Sequence, residues 1–327
     1  MDRIDAHIHY NGDHADNLAL LEKHGLKLLN ISVPTPNPRW RRAKDIYPGL
    51  TKAHSGRYSW VGGFNTPSEE DFADPTAYAQ RAIADIDSDV ADMAVACKIW
   101  KNLGMEVKKP DGSFVMPDDE IFDPMYEHLV KIKLPLLAHI AEPLACWQPL
   151  VDNKPHYGYY KNNQQWHMYG KTEYPSHERL IEARDNIMAK HPDLVFVGAH
   201  LGSLEYDVRE VAKRMDRFPN FVVDTSARTA DLTYQDVAVV KEFFNTYQDR
   251  ILFGTDIVRM DTASELAADE RAAQVEQSNQ QWEMEFNYYE SSGEVTFRSR
   301  KTEGLGLSGS QLEKFYTGNA RRWYPGL

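Results

Sequence analysis

Eight short runs rich in Val, Ile, Leu and Phe recur along the chain, with longer helix-patterned segments between most of them. Most of these runs are apolar almost throughout and do not alternate, as expected of parallel strands that are covered on both faces. Eight such strands predict a closed (β/α)8 TIM barrel, an α/β fold. The predicted strands are residues 3–10, 26–33, 58–65, 94–100, 134–140, 194–200, 221–226 and 251–256.

The segments between the runs carry helix signals. Ser176-His177-Glu178-Arg179 resembles a capping start for a helix that runs to about Lys190, and His191-Pro192 closes it. No internal repeat or linker divides the chain, so we predict one barrel domain over residues 1–327, a length that barrels reach. The other predicted helices are residues 15–25, 75–91, 118–133, 204–217, 233–248 and 309–323, while residues 36–56 give no clear pattern.

Two connections are longer than barrel closure requires. Residues 142–175 follow the fifth strand and are rich in aromatic side chains, among them Trp166 and Tyr169. Residues 257–307 follow the eighth strand and contain a predicted helix near 263–288. Both leave the carboxyl ends of strands, where barrel enzymes keep their active sites, so both are candidate lids. The aromatic loop is either a packed satellite core or a platform for a sugar ring or planar ligand.

Histidine, aspartate and lysine side chains stand at the ends of several predicted strands. On a strand, side chains two apart point to the same side, so His7 and His9 can aim two imidazoles at one point. Each residue alone has an ordinary alternative, as a core histidine, a turn aspartate or a solvated lysine. Because all strands of a parallel barrel end at one rim, their joint placement favours a metal centre. The set is His7, His9, Lys98, His139, His200 and Asp256.

Other polar residues near the same rim are candidate substrate contacts. Arg228 follows the seventh strand, Arg259 lies just beyond Asp256, and Glu142 is three residues past His139. An arginine at such a rim can grip a carboxylate bidentately, and an ordinary surface ion pair is the alternative. The predicted substrate-binding residues are Lys98, Glu142, Trp166, Tyr169, Arg228 and Arg259.

Composition limits the compartment and the partners. The net charge of −12 opposes attraction to nucleic acid and to anionic membranes, and no run approaches the ~18 apolar residues of a membrane span. Cys97 and Cys146 form no CxxC pair, and the candidate metal motif begins at residue 7, which leaves no room for a signal peptide. We therefore expect a cytoplasmic protein that acts on a small molecule, and a homo-oligomer is compatible with the sequence.

Together the motifs resemble the amidohydrolase superfamily, and within it amidohydrolase family 2, the metal-dependent hydrolases of TIM-barrel fold. The resemblance covers essentially the whole chain and rests on Asp5-Ala6-His7-Ile8-His9, Leu137-Ala138-His139, Gly198-Ala199-His200-Leu201-Gly202, Phe253-Gly254-Thr255-Asp256 and Gly318-Asn319-Ala320-Arg321-Arg322. It implies a divalent metal, usually zinc, held by His7, His9, His139 and Asp256, with a water that the metal activates. His200 would act beside this water as a general acid/base, and Asp256 would shuttle the proton. Manganese, cobalt or nickel suit the same ligands.

The resemblance leaves two questions open. In two-metal branches a lysine at the end of strand four is carbamylated and bridges the ions, with the strand-six histidine as a ligand; Lys98 and His200 match those positions. Alternatively, Lys98 stays cationic and pairs with a substrate carboxylate, and we favour one metal. The implied reaction is hydrolysis of an amide, lactone or ester bond. The alternative is non-oxidative decarboxylation or hydration of an aromatic or unsaturated carboxylic acid.

Overall fold

A computed structural model describes residues 1–152 and 154–327. Its main sheet contains nine parallel strands in the spatial order β8-β7-β6-β5-β4-β3-β2-β1-β9. The strands are β1 (Arg3–Tyr10), β2 (Leu26–Ile31), β3 (Tyr58–Gly63), β4 (Ala94–Ile99), β5 (Leu136–Ala138), β6 (Phe196–Gly198), β7 (Phe221–Asp224), β8 (Ile251–Leu252) and β9 (Val258–Arg259).

The sheet closes through the segment between β8 and β9. On one side of it, the Thr225 amide donates to the Leu252 carbonyl over 3.1 Å. On the other side, the Ala6 amide donates to the Phe253 carbonyl, and the Asp256 amide donates to the His7 carbonyl, each over 2.8 Å. The chain from β8 to Asp256 therefore contacts both β7 and β1, which confirms the predicted TIM barrel.

Helices and one hairpin complete the chain. In the described residues, no helix combines the length and the apolar character that a membrane crossing requires. The helices are α1 (Ala15–His24), α2 (Pro38–Arg41), α3 (Ala43–Ala53), α4 (Pro75–Ala91), α5 (Asp123–Ile132), α6 (Tyr157–Asn162), α7 (His177–Lys190), α8 (Ala199–Gly202), α9 (Val208–Arg217), α10 (Thr229–Leu232), α11 (Val237–Thr246), α12 (Ala268–Glu290), α13 (Gly309–Glu313) and α14 (Asn319–Trp323). The hairpin consists of β10 (Ser292–Phe297) and β11 (Arg300–Leu305), which pair antiparallel.

Strand ends differ from prediction where the backbone turns out of the sheet. The strand predicted to reach residue 200 ends at Gly198, because His200 and Leu201 adopt left-handed conformations with φ of 59° and 57°. Asp256 is also left-handed, with φ of 60°, and lies beyond the short β8. A left-handed residue cannot continue a strand. These turns place the two polar side chains at the rim.

Both long connections carry structure of their own. Residues 142–175, of which residue 153 lies outside the described residues, contain α6 and two short 3₁₀ turns, Leu144–Trp147 and Gln164–Trp166. The helix predicted near 263–288 is α12. The hairpin β10–β11 was not predicted, and the unclear region 36–56 forms α2 and α3.

A bulge in β1 selects which side chains face the barrel interior. Ile4 and Ala6 belong to the inner core, whereas Ile8 and Tyr10 pack in the outer core between strands and helices. The register with β2 shifts between Asp5 and Ile8, and such an irregularity exchanges the two faces of a strand. After the bulge, His7 and His9 line the cavity at the mouth of the barrel.

Candidate metal centre

Three side chains converge at the floor of this cavity. One ligand atom each from His7, His9 and Asp256 lie within 4.8 Å of one another. Asp256 Oδ1 lies 3.3 Å from His9 Nε2 and 3.9 Å from His7 Nε2. Both histidines are at least 95% buried, whereas the side chain of Asp256 is 26% exposed.

A buried carboxylate behind His7 fixes the orientation of its ring. Asp224 Oδ2 lies 2.8 Å from His7 Nδ1, which leaves Nε2 to face Asp256. Asp224 Oδ1 accepts hydrogen bonds from the His200 amide over 2.8 Å and from the Ser226 hydroxyl over 2.5 Å. Burial alone would raise the pKa of Asp224, but His7 and the hydrogen bonds hold it below its usual value. Carboxylates in this position raise the basicity of a ligating histidine.

Asp5 holds the segment next to Asp256 in place by hydrogen bonds. Its carboxylate accepts hydrogen bonds from the Thr255 amide over 3.0 Å, the Thr255 hydroxyl over 2.6 Å and the Trp282 indole over 2.9 Å. Burial raises the pKa of Asp5 to about 6, while these hydrogen bonds lower it. Asp5 therefore ties β1 to the residue before Asp256 and to α12.

His139 and His200 form a second pair beside the three donors. His200 Nδ1 faces the Ser226 carbonyl at 2.8 Å, and because a carbonyl only accepts, Nδ1 carries the proton. His200 Nε2 is then an acceptor and lies 3.2 Å from His139 Nδ1. His139 Nδ1 is therefore the donor and carries the proton of that ring. In a neutral imidazole the other nitrogen then has a lone pair, and His139 Nε2 is buried with no partner among the described residues. His139 is not within the 4.8 Å set, but it offers a fourth donor atom.

The residues present fit a divalent metal. Two imidazole nitrogens and a carboxylate are common zinc donors, and the first ring is oriented by a carboxylate as metal-bound histidines are. His139 Nε2 is a buried polar atom that has no hydrogen-bond partner among the described residues. Burial keeps the pKa of His139 and of His9 below the usual value for histidine, so both are neutral, as a ligand must be.

The cavity above the donors has a volume of about 1180 Å³ and gathers most of the predicted substrate-binding residues. Lys98, Glu142, Trp166 and Arg228 line it. In the described part of the chain, Tyr169 and Arg259 are not on this wall. Tyr169 is 54% exposed, and the Arg259 guanidinium donates to the Val258 carbonyl over 2.9 Å.

Two buried lysines stand at the cavity wall. Burial lowers the pKa of Lys98 to about 8, although the charges of Asp224 and Asp256 raise it. Burial also lowers the pKa of Lys101 to about 7, and the charge of Arg228 lowers it further. Lys101 pairs with Glu142 and lies 3.9 Å from the centre of the Trp166 ring.

Sequence reasoning missed the roles of Asp5, Asp224 and Lys101. Asp224 carries the same signal as Asp256, an aspartate that closes an apolar run, and could have been found by it. Asp5 belongs to the first histidine motif, but the motif alone gives it no role. Lys101 lies past the end of β4, where nothing in the local sequence distinguishes it from a surface lysine.

Solved structures of other proteins share this fold. An uncharacterised TIM-barrel protein from Bordetella bronchiseptica is 14% identical, with a TM-score of 0.55, over 100% of this chain and 99% of that one. A candidate amidohydrolase from Staphylococcus aureus is 12% identical, with a TM-score of 0.53, over 100% of both chains. At such identities the structural matches establish the fold alone. A search of curated protein sequences finds no significant match.

The family comparison is more specific. A sequence model described as amidohydrolase matches residues 4–326, which includes every donor of the candidate metal centre. The resemblance inferred from the motifs is thereby confirmed. This chain belongs to the amidohydrolase family.

Proposed function

We propose that the protein is a metal-dependent hydrolase that cleaves an amide, lactone or ester bond in a small carboxylic acid. The observation that carries this proposal is the convergence of His7, His9 and Asp256 at the cavity floor, next to an unprotonated His200 Nε2. When bound there, a divalent ion such as zinc would supply a Lewis acid that acidifies water and polarises a carbonyl group.

His200 is the proposed proton acceptor of the reaction. Its Nδ1 proton is held by the Ser226 carbonyl, so Nε2, which in this structure accepts a hydrogen bond from His139 Nδ1, is the atom that would take a proton in place of that hydrogen bond. Burial first, and then the charge of Arg228, hold the pKa of His200 well below its usual value, so the ring is neutral near pH 7. A neutral imidazole can accept a proton as a general base. Asp256, whose Oδ1 faces His9, is the candidate to receive and relay the proton.

Two buried cations are proposed to bind a substrate carboxylate. Arg228 is 7% exposed, its Nη1 donates only to its neighbour's carbonyl, and its Nε has no partner among the described residues. Lys98 is 1% exposed on the same wall. Lys101, in contrast, is already paired with Glu142. A buried guanidinium without a carboxylate partner is costly unless a ligand supplies one.

Decarboxylation of an aromatic acid is the second candidate. The cavity wall carries the rings of Trp40, Trp100 and Trp166 as well as the buried cations, a combination that suits an aromatic carboxylate. This chemistry needs a protonated acid over the carbon that loses CO2. The low pKa of His200 opposes that role, so hydrolysis is the better supported reaction.

An activity screen on metal-reconstituted protein tests the proposal. Proton release from lactones, esters and amides of carboxylic acids is measured beside CO2 release from aromatic acids. The proposal expects a hydrolytic substrate whose turnover is lost in the His7→Ala variant. CO2 release without any hydrolytic activity would contradict it in favour of the second candidate.

A further inference from the structure

We propose that the tip of the β10–β11 hairpin is a specificity element, which binds a second anionic group of the substrate through Arg298 and Arg300. The inference rests on the proposed function, because it assumes that a first carboxylate binds deeper, at Lys98 and Arg228. It assigns the substrate to the class of small acids with two separated anionic groups.

The hairpin is built to hold its tip in place. Six residue pairs join its strands, from Ser292–Leu305 to Phe297–Arg300, and the turn between them consists of Arg298 and Ser299 alone. Phe297 is 2% exposed and packs edge-on against Tyr288 of α12, with 5.9 Å between ring centres. A short turn on a fully paired ribbon, anchored by a buried ring, positions the tip at the cavity wall.

Neither arginine at the tip has an acidic partner among the described residues, and the side chain of Arg300 is held in place. Arg300 Nε donates to the Thr233 carbonyl over 3.0 Å, and its guanidinium lies 4.1 Å from the centre of the Tyr234 ring. Within the described residues, no carboxylate forms an ion pair with Arg298 or Arg300. The acids of the hairpin itself are engaged elsewhere, Glu294 with Lys301 and Glu303 with Lys241.

Charge is distributed unevenly between this cavity and the rest of the protein. The chain has 37 Lys and Arg against 49 Asp and Glu, whereas the cavity wall has six against four. Three of those four acids are already engaged, Glu142 with Lys101, Asp231 with His156 and Asp256 at the metal centre. The wall therefore favours anionic ligands although the protein as a whole is acidic.

The free cations fall into two tiers. Lys98 and Arg228 are buried at depth, whereas Lys154, Arg298 and Arg300 are exposed, the two arginines at the tip of the hairpin. A ligand with one anionic group would engage one tier, and a ligand with two would engage both. Surface arginines that serve only solubility need no fixed orientation and no common cavity. The wall should therefore bind a ligand that makes charge-assisted contacts to both tiers more tightly than a ligand that contacts one tier.

The test measures binding by calorimetry to the zinc-loaded protein. The probes are succinate, adipate and suberate, each compared with the monocarboxylate of equal length, butyrate, hexanoate and octanoate. We expect at least one dicarboxylate to bind roughly tenfold more tightly than its partner, since one charge-assisted contact contributes about that factor. The Arg298→Gln/Arg300→Gln double variant should lose this preference and keep the monocarboxylate affinity.

Lys301→Gln is the matched control, because Lys301 lies on the same hairpin but outside the cavity wall and should leave the preference intact. An Arg298→Glu variant, which changes only the turn, should bind the dicarboxylate more weakly than the unaltered protein. A preference that survives in both arginine variants, or that is absent from the unaltered protein, would overturn the inference. His7→Ala should keep the preference while it loses metal and activity. If the His7→Ala variant kept full turnover, the proposed metal-dependent hydrolysis would be wrong, whatever the binding preference.

Discussion

His200 is the residue on which the proposed chemistry depends. Its left-handed backbone carries the side chain out of β6, and the Ser226 carbonyl fixes the proton on Nδ1. Nε2 is thus left as an acceptor, and in this structure it accepts a hydrogen bond from His139 Nδ1. Asp224 connects this residue to the metal centre, because its two oxygens contact the His200 amide and the His7 ring.

We predict that His200→Asn lowers kcat by roughly 10²–10⁴-fold, the usual contribution of a general base, while the metal stays bound. Since the pKa of His200 is already below the usual value, kcat/KM of the unaltered enzyme should be flat near neutral pH and fall on the acid side. The apparent pKa of this acid-side fall in kcat/KM belongs to the coupled histidine and metal system and not to His200 alone. Loss of the metal in this variant would make His200 a ligand and exclude the one-metal assignment.

Asp224→Asn tests the support behind His7. The amide keeps the size of the side chain but removes its charge, so metal affinity should fall about 10–100-fold, as for other carboxylates that orient a histidine ligand. Asp216→Asn is the control, since Asp216 accepts a hydrogen bond from Tyr247 at an exposed position. Equal metal affinities for all three proteins would show that Asp224 only packs.

At the scale of elements, periodicity in the sequence predicts the strands, whereas features that depend on tertiary contacts escape prediction. The eight predicted strands correspond to β1–β8, because parallel strands buried on both faces read as continuous apolar runs, whereas the two-residue β9 was not predicted. The bounds of β1 were predicted correctly, but the carboxyl end of β6 was not, because His200 leaves the strand through a left-handed backbone that no pattern encodes. The β10–β11 hairpin was missed because its two-residue turn, Arg298-Ser299, lacks the usual glycine or asparagine.

The two aromatic residues predicted to bind substrate, Trp166 and Tyr169 of the loop 142–175, lie in different surroundings. Trp166 lines the cavity, and its ring stacks under Lys101, whereas Tyr169 is exposed and lies outside the wall. Trp166→Ala should therefore raise KM for the substrate with little change in metal content, while Tyr169→Ala should behave as the unaltered enzyme. Wild-type kinetics in the Trp166 variant would mean that the loop is packing alone, and steady-state kinetics on the identified substrate decide between these outcomes.

At the scale of the whole molecule, buried acids should make stability depend on pH. Burial raises the pKa of Glu285 on α12 from 4.5 to about 8, although a hydrogen bond from the Thr229 hydroxyl lowers it. Between these values the folded state binds more protons than the unfolded state, so the free energy of unfolding falls as pH rises. Glu285→Gln should flatten this slope. Denaturant titrations from about pH 5 to pH 8 measure it, and an unchanged slope would show that Glu285 ionises freely.

The metal content of the purified protein is the most direct test of the proposed metal centre. We predict close to one divalent ion per chain by elemental analysis, its removal by chelation together with activity, and its loss in His7→Ala and in Asp256→Ala. Two ions per chain, with Lys98→Ala rescued by short carboxylates, would instead establish a bridged pair. Full activity in thoroughly chelated protein with no measurable metal would contradict the central claim.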